Sequence, residues 1–158
     1  FRRVLFRSLS VYSLSKQSNL AGYRAAFVAG DPSLVAELVA VRKQAGMMLP
    51  GPVQAAFAAA LADDAAPAAQ REVYRARRAQ LAPALESAGG TIHGSQAGLY
   101  LWTTFDEDSM ATVDRLADLG VLVAPGMFYG EGGARFVRIA LTATDERIAA
   151  AAQRLERS

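Results

Sequence analysis

From residue 98 onward the chain alternates short apolar runs with helical patterns, and this alternation narrows its fold more than any other feature. Residues 98–103 read as a strand. Residues 110–119 read as an amphipathic helix stopped by Gly120, and 121–124 as a very short strand ending at Pro125-Gly126. Residues 136–141 form another strand, after which Thr144-Asp145-Glu146 opens a terminal helix. Strand, helix, strand, strand, helix is the order of a small α/β unit.

Upstream the pattern is different. Residues 23–29, closing at Gly30-Asp31-Pro32, read as a short buried strand and a turn. Pro32 opens a helix in which Leu34, Leu38, Val41 and Ala45 recur at helical spacing, with Gly46 as its stop. Gly51-Pro52 opens a second helix, interrupted by Asp63-Asp64. A longer one over residues 67–88 carries Val73, Leu81 and Leu85 on one side and ends at Gly89-Gly90. Residues 9–66 are therefore expected to be what remains of one domain, and residues 67–158 a small second one.

Residues 1–8, Phe-Arg-Arg-Val-Leu-Phe-Arg-Ser, read as a translated sequencing adapter and continue no periodic pattern. Setting aside Arg2, Arg3 and Arg7 takes the formal net charge from +2 to −1. A nucleic-acid or anionic-membrane partner then has no support in net charge. The stretch has neither the apolar core nor the small-residue cleavage site of a signal peptide. Residues 44–62 carry no formal charge, but Pro50, Gly51, Pro52 and Gln54 interrupt them and alanine dominates the rest. The expectation is a soluble, cytoplasmic protein with no membrane or nucleic-acid partner. Arg71, Arg75, Arg77 and Arg78 read as a solvated helix face, since no aromatic stacking platform accompanies them.

The chain has no cysteine and one histidine, His93. That excludes disulfides, thiolate ligands and any site needing two imidazoles; His93, in a Gly-bounded turn, is given no role, and no metal site is expected. Lysine occurs only at positions 16 and 43, against a background rich in arginine.

Lys16 lies in Ser13-Leu-Ser-Lys-Gln-Ser-Asn-Leu-Ala-Gly-Tyr-Arg24. A lysine amine condenses with an aldehyde when its surroundings keep part of it neutral. Ser13 and Ser15 offer hydroxyl donors in a turn that can converge on one anion, and Arg24 offers a planar fork for phosphate. A lysine beside phosphate donors is what a phosphorylated aldehyde cofactor requires. Composition alone would favour an ordinary polar loop; the spacing argues otherwise. In the strand 136–141, Val137 and Ile139 flank Arg138. If those two face the core, alternation puts Arg138 on the opposite face with Phe136 and Ala140. An arginine on an apolar strand face needs an anionic partner. Arg135 reads as a surface residue, and Tyr100 and Trp102 as packing residues.

Ser-x-Ser-Lys with an arginine eight residues on, and Pro125-Gly126-Met-Phe-Tyr129-Gly130 followed by Val137-Arg138-Ile139-Ala140, together resemble the class I/II aminotransferases of pyridoxal-phosphate fold type I. The likeness covers residues 9–158; Ala26, where many relatives have glycine, is a departure. It implies that Lys16 forms the Schiff base with pyridoxal 5'-phosphate and that Ser13, Ser15 and Arg24 bind its phosphate. It also implies that Arg138 grips the substrate α-carboxylate. Residues 9–66 would be the end of the large cofactor-binding domain and 67–158 the small domain. The wording is similar to the branch that moves an amino group from N-succinyl-LL-2,6-diaminopimelate to 2-oxoglutarate in lysine biosynthesis. The resemblance further implies a homodimer at full length, and a fragment inactive alone. Two other readings stay open: the effector domain of an aminotransferase-like transcription regulator, and a carbon–sulfur lyase on the same scaffold. A non-catalytic remnant is disfavoured by the joint presence of Ser13, Ser15, Lys16, Arg24 and Arg138.

Overall fold

The computed structural model describes residues 8–157. The expected adapter stretch 1–8 lies outside the described residues except for Ser8. The chain divides between Ala69 and Gln70 into two compact units.

In the first unit, β1 (Leu9–Ser13) pairs antiparallel with β2 (Ala26–Gly30). Between them the one-turn helix α1 (Leu14–Gln17) and a 3₁₀ turn at Ala21–Tyr23 bring the chain back. The strand expected over 23–29 begins only at Ala26, because Arg24 takes a left-handed conformation at φ 49°. Nor is β2 buried: none of its five residues is, and β1 is its only sheet partner among the described residues. Helix α2 (Pro32–Gln44) starts where Asp31 accepts hydrogen bonds from the backbone of Ser33 and Leu34 and Pro32 presets the first turn. Gly46, at φ +68°, follows it. Helix α3 (Gly51–Leu61) contributes Phe57 to a small core with Leu14 and Ala25, and Phe27 meets Phe57 edge-on at 6.2 Å.

The division between the units falls within α4 (Ala65–Ser87). The second unit holds β3 (Thr91–His93), β4 (Tyr100–Thr104), α5 (Ser109–Asp118), β5 (Ala124–Pro125), β6 (Phe136–Ala140) and α6 (Asp145–Leu155). Its sheet runs β3-β4-β6-β5, antiparallel throughout. The short strand expected at 121–124 pairs only at Ala124 and Pro125, and His93 belongs to a strand rather than a turn.

One face of this sheet is the core. Leu101, Val137 and Ile139 pack with Leu81 and Leu85 of α4, Leu116 of α5, and Ile148 and Leu155 of α6. Burial of each such side chain contributes about 1.5–3 kcal/mol. Along β6, Val137 and Ile139 are buried while Phe136, Arg138 and Ala140 are not, as alternation predicts. The basic cluster on α4 is less solvated than its composition suggests. Arg77 bonds Asp145 and the Leu141 carbonyl, and Arg78 donates to the carbonyls of Ser95 and Gly98.

Candidate functional site

The candidate residues fall in two places, one in each unit. In the first, Ser13 ends β1 and caps α1: the Ser15 N–H donates to Ser13 Oγ at 3.2 Å, and the two hydroxyls stand 2.8 Å apart. Capping explains why the chain turns here, since an N-terminal serine satisfies a helix N–H that has no carbonyl partner. Leu14, fully buried, anchors the turn from below. Lys16 is the third residue of α1 and is exposed. No hydrogen bond or ion pair holds its amine among the described residues.

Arg24 follows the 3₁₀ turn, and its Nη1 donates to the Ala21 carbonyl at 3.3 Å. Its remaining N–H groups form no bond among the described residues. The structure thus brings the Ser13 and Ser15 hydroxyls together, with Lys16 next in the chain. It forms no bond from Lys16 or Arg24 to those hydroxyls. Ser18 was not foreseen: its Oγ is buried without a partner among the described residues just after α1, and a serine in a Ser-Asn pair gave no signal beyond that of a loop. Serine hydroxyls at a helix start, an unpaired amine and a guanidinium with open donors form a set suited to an anionic, aldehyde-bearing cofactor.

In the second unit, Arg138 lies directly across from Trp102 of β4 and Ala124 of β5. Its Cζ is 4.3 Å from the Tyr100 ring centroid and 5.3 Å from that of Tyr129. Nε is buried with no hydrogen-bond partner among the described residues. No carboxylate pairs with Arg138 among the described residues. Tyr129 sits at the end of a 3₁₀ turn, Gly126–Tyr129, and meets Trp102 edge-on at 5.7 Å. Trp102 in turn stacks on Phe136 at 5.3 Å. Arg135, read as a surface residue, pairs with Asp106 at 2.7 Å and stays 59% exposed. His93 is exposed and packs edge-on against Phe136.

The family model for aminotransferase class I and II matches residues 7–155. The chain belongs to the class I and II aminotransferases. It is 63% identical over 147 residues to "Probable aminotransferase Rv1178" of Mycobacterium tuberculosis, covering 93% of this chain and 35% of that protein. It is 59% identical over 147 residues to the 4-dedimethylamino-4-oxo-anhydrotetracycline transaminase OxyQ of Streptomyces rimosus, covering 93% of this chain and 41% of that one. LL-diaminopimelate aminotransferases match at 32–38% identity. Among solved structures, an aromatic aminotransferase from Pyrococcus horikoshii superposes with a TM-score of 0.84 at 25% identity, over 96% of this chain and 42% of that one. The fold is therefore that of the pyridoxal-phosphate-dependent aminotransferases, α/β and of fold type I. The chain spans 35–41% of the lengths of these first two relatives. No described helix is long and apolar enough to cross a membrane.

Proposed function

We propose that this chain is part of a pyridoxal-5'-phosphate-dependent aminotransferase, with residues 9–66 closing the large cofactor-binding domain and residues 67–158 forming the small domain. The observation that carries the reading is the pair of serine hydroxyls, 2.8 Å apart, at the start of the one-turn helix that contains Lys16. Ser13, Ser15 and Arg24 would hold the cofactor phosphate, and Lys16 Nζ its aldehyde carbon. The bound cofactor supplies an electron sink for the donor's α-carbon. Lys16 Nζ moves the proton at that carbon. The Arg138 fork binds the α-carboxylate of the amino acid and then of the 2-oxo acid. Apolar side chains exposed here, among them Val11, Met47 and Met48, are expected to be covered by the remainder of the large domain, in a homodimer.

The proposed donor is N-succinyl-LL-2,6-diaminopimelate and the acceptor 2-oxoglutarate, in lysine biosynthesis. Supporting this are the similarity in wording and the diaminopimelate aminotransferases at 32–38% identity. The 59% identity to OxyQ favours a second reading, amine transfer to a polycyclic ketone. A panel on the intact enzyme separates them: transfer from succinyldiaminopimelate, transfer to a polycyclic ketone, or pyruvate release from a cysteine conjugate. Lys16 is tested by borohydride reduction and peptide mass spectrometry. The cofactor mass should appear on the peptide holding Lys16, and Lys16→Ala should lose both that adduct and turnover. Normal turnover by Lys16→Ala would remove the role given to this residue.

A further inference from the structure

The surroundings of Arg138 go beyond a single carboxylate grip. Its Cζ lies 4.3 Å from one tyrosine ring centroid and 5.3 Å from another, contributed by different elements: Tyr100 by β4 and Tyr129 by the Gly126–Tyr129 turn. Nε is buried and has no acceptor, whereas the two Nη atoms, equally without hydrogen bonds among the described residues, are not buried. An N–H removed from water with no acceptor is destabilising. A ring face beneath a guanidinium offsets part of that cost through the attraction between the cation and the ring's negative face. The rings thus make tolerable a pose that water alone would not favour.

Two further contacts keep Tyr129 in that place. It meets Trp102 edge-on at an interplanar angle of 82°, and Trp102 lies nearly flat on Phe136, at 8°. Trp102 is also the residue directly across the ladder from Arg138. One aromatic shelf therefore joins the turn, the strand and the guanidinium.

We propose that Tyr100 and Tyr129 are positioning residues for carboxylate recognition. Their rings hold the Arg138 guanidinium so that its two Nη atoms face outward as a preformed fork. The inference rests on the reading of Arg138 as the carboxylate-binding residue and adds what sets its pose. A fork already held in place loses less side-chain freedom when it binds, so the rings act on affinity for the carboxylate. The rings matter and the phenol hydroxyls do not, which separates phenylalanine from leucine replacements.

The test uses the intact enzyme carrying these residues, with 2-oxoglutarate as the probe. Its KM is measured by steady-state kinetics and its Kd by calorimetry. Tyr100→Leu and Tyr129→Leu should each raise both constants by roughly two- to thirtyfold. The effect on kcat should be smaller, because carboxylate binding is shared by ground and transition states. Tyr100→Phe and Tyr129→Phe should stay close to wild type. Tyr129 is 54% exposed, so its replacement opens no core and carries the test if Tyr100→Leu fails to fold. Unchanged KM and Kd in Tyr129→Leu, alongside a clear rise in Arg138→Ala, would overturn the positioning role while leaving the fork itself in place. No rise in Arg138→Ala would instead remove the carboxylate reading, and this inference with it.

Discussion

Arg77 Nε donates to Asp145 Oδ1 at 2.6 Å, tying together two residues 68 positions apart in the chain. The same guanidinium donates through Nη1 to the Leu141 carbonyl at 3.0 Å, just beyond β6. Its side chain is only 15% exposed, against 73% for Asp145. Arg77 is therefore a pin between α4 and the segment that connects β6 to α6, not a member of a solvated basic face.

Arg77→Ala should destabilise the second unit by about 1.5–3 kcal/mol, the range for hydrogen bonds made by a charged group. The ion pair adds little, because Asp145 is largely in water. Asp145→Asn should accordingly cost less than Arg77→Ala. Chemical denaturation of the two variants measures the difference. Equal losses would place the stabilisation in the ion pair rather than in the Leu141 carbonyl.

Glu146, next to Asp145, gives the helix start a dependence on pH. Its own backbone N–H, and after that the Thr144 hydroxyl, hold the carboxyl of this exposed residue below the usual range; partial loss of hydration and Asp145 oppose this, and Arg77 assists. A carboxyl depressed in the folded state stabilises the fold above its unfolded pKa, and the contribution disappears as pH falls through the folded value. Wild type should therefore melt higher than Glu146→Gln at neutral pH. The gap should close as the pH drops below the ordinary glutamate value of about 4.3. Melting curves across that range decide it, and a gap that widened in acid would contradict the assigned direction.

Much of this arrangement could be read from local pattern. Asp31-Pro32, Gly51-Pro52 and Gly89-Gly90 mark helix ends because capping and backbone conformation are decided within a few residues. Val137 and Ile139 fixed the face of Arg138 in the same way, through a period of two. Long-range facts were not legible. The β4–β6 register that sets Trp102 opposite Arg138 crosses a helix and two turns, so no short hairpin loop announces it. The partners of Arg77 and Arg78 are mostly carbonyls, which leave no trace in residue identity. β1 was missed because its residues follow the discarded start of the chain, and β3 because three residues between glycines look like a turn. At the candidate cofactor site the residue types were legible, while the left-handed turn at Arg24 and the buried hydroxyl of Ser18 were not.

On the role proposed for it, Arg138→Ala in the intact enzyme should raise KM for both the amino donor and the 2-oxo acceptor, since each would present a carboxylate to the same fork. Two charge-assisted hydrogen bonds imply a rise on the order of a hundredfold or more. Arg138→Lys should recover only part of it, because an ammonium cannot match the two carboxylate oxygens in parallel. Steady-state kinetics with each substrate varied in turn provide the check. A change confined to one substrate would mean that the fork does not serve both halves of the reaction.

Gly126→Ala tests whether the turn bearing Tyr129 is fixed by its backbone. A Cβ at Gly126 would stand 2.4 Å from the Gly133 carbonyl oxygen, 2.5 Å from that of Phe136 and 2.9 Å from the Trp102 ring. Two of these obstacles are backbone, so no side-chain rotation clears them and the turn itself has to move. Forcing a methyl into such a space costs about 1–3 kcal/mol. Tyr129 would move with the turn, away from Trp102 and Arg138, so affinity for 2-oxoglutarate should fall together with stability. Gly132→Ala is the control: a Cβ there meets nothing within 4 Å, and both properties should be retained. If Gly126→Ala lowers stability yet leaves 2-oxoglutarate binding intact, the turn can shift without disturbing the fork, which counts against a positioning role for Tyr129.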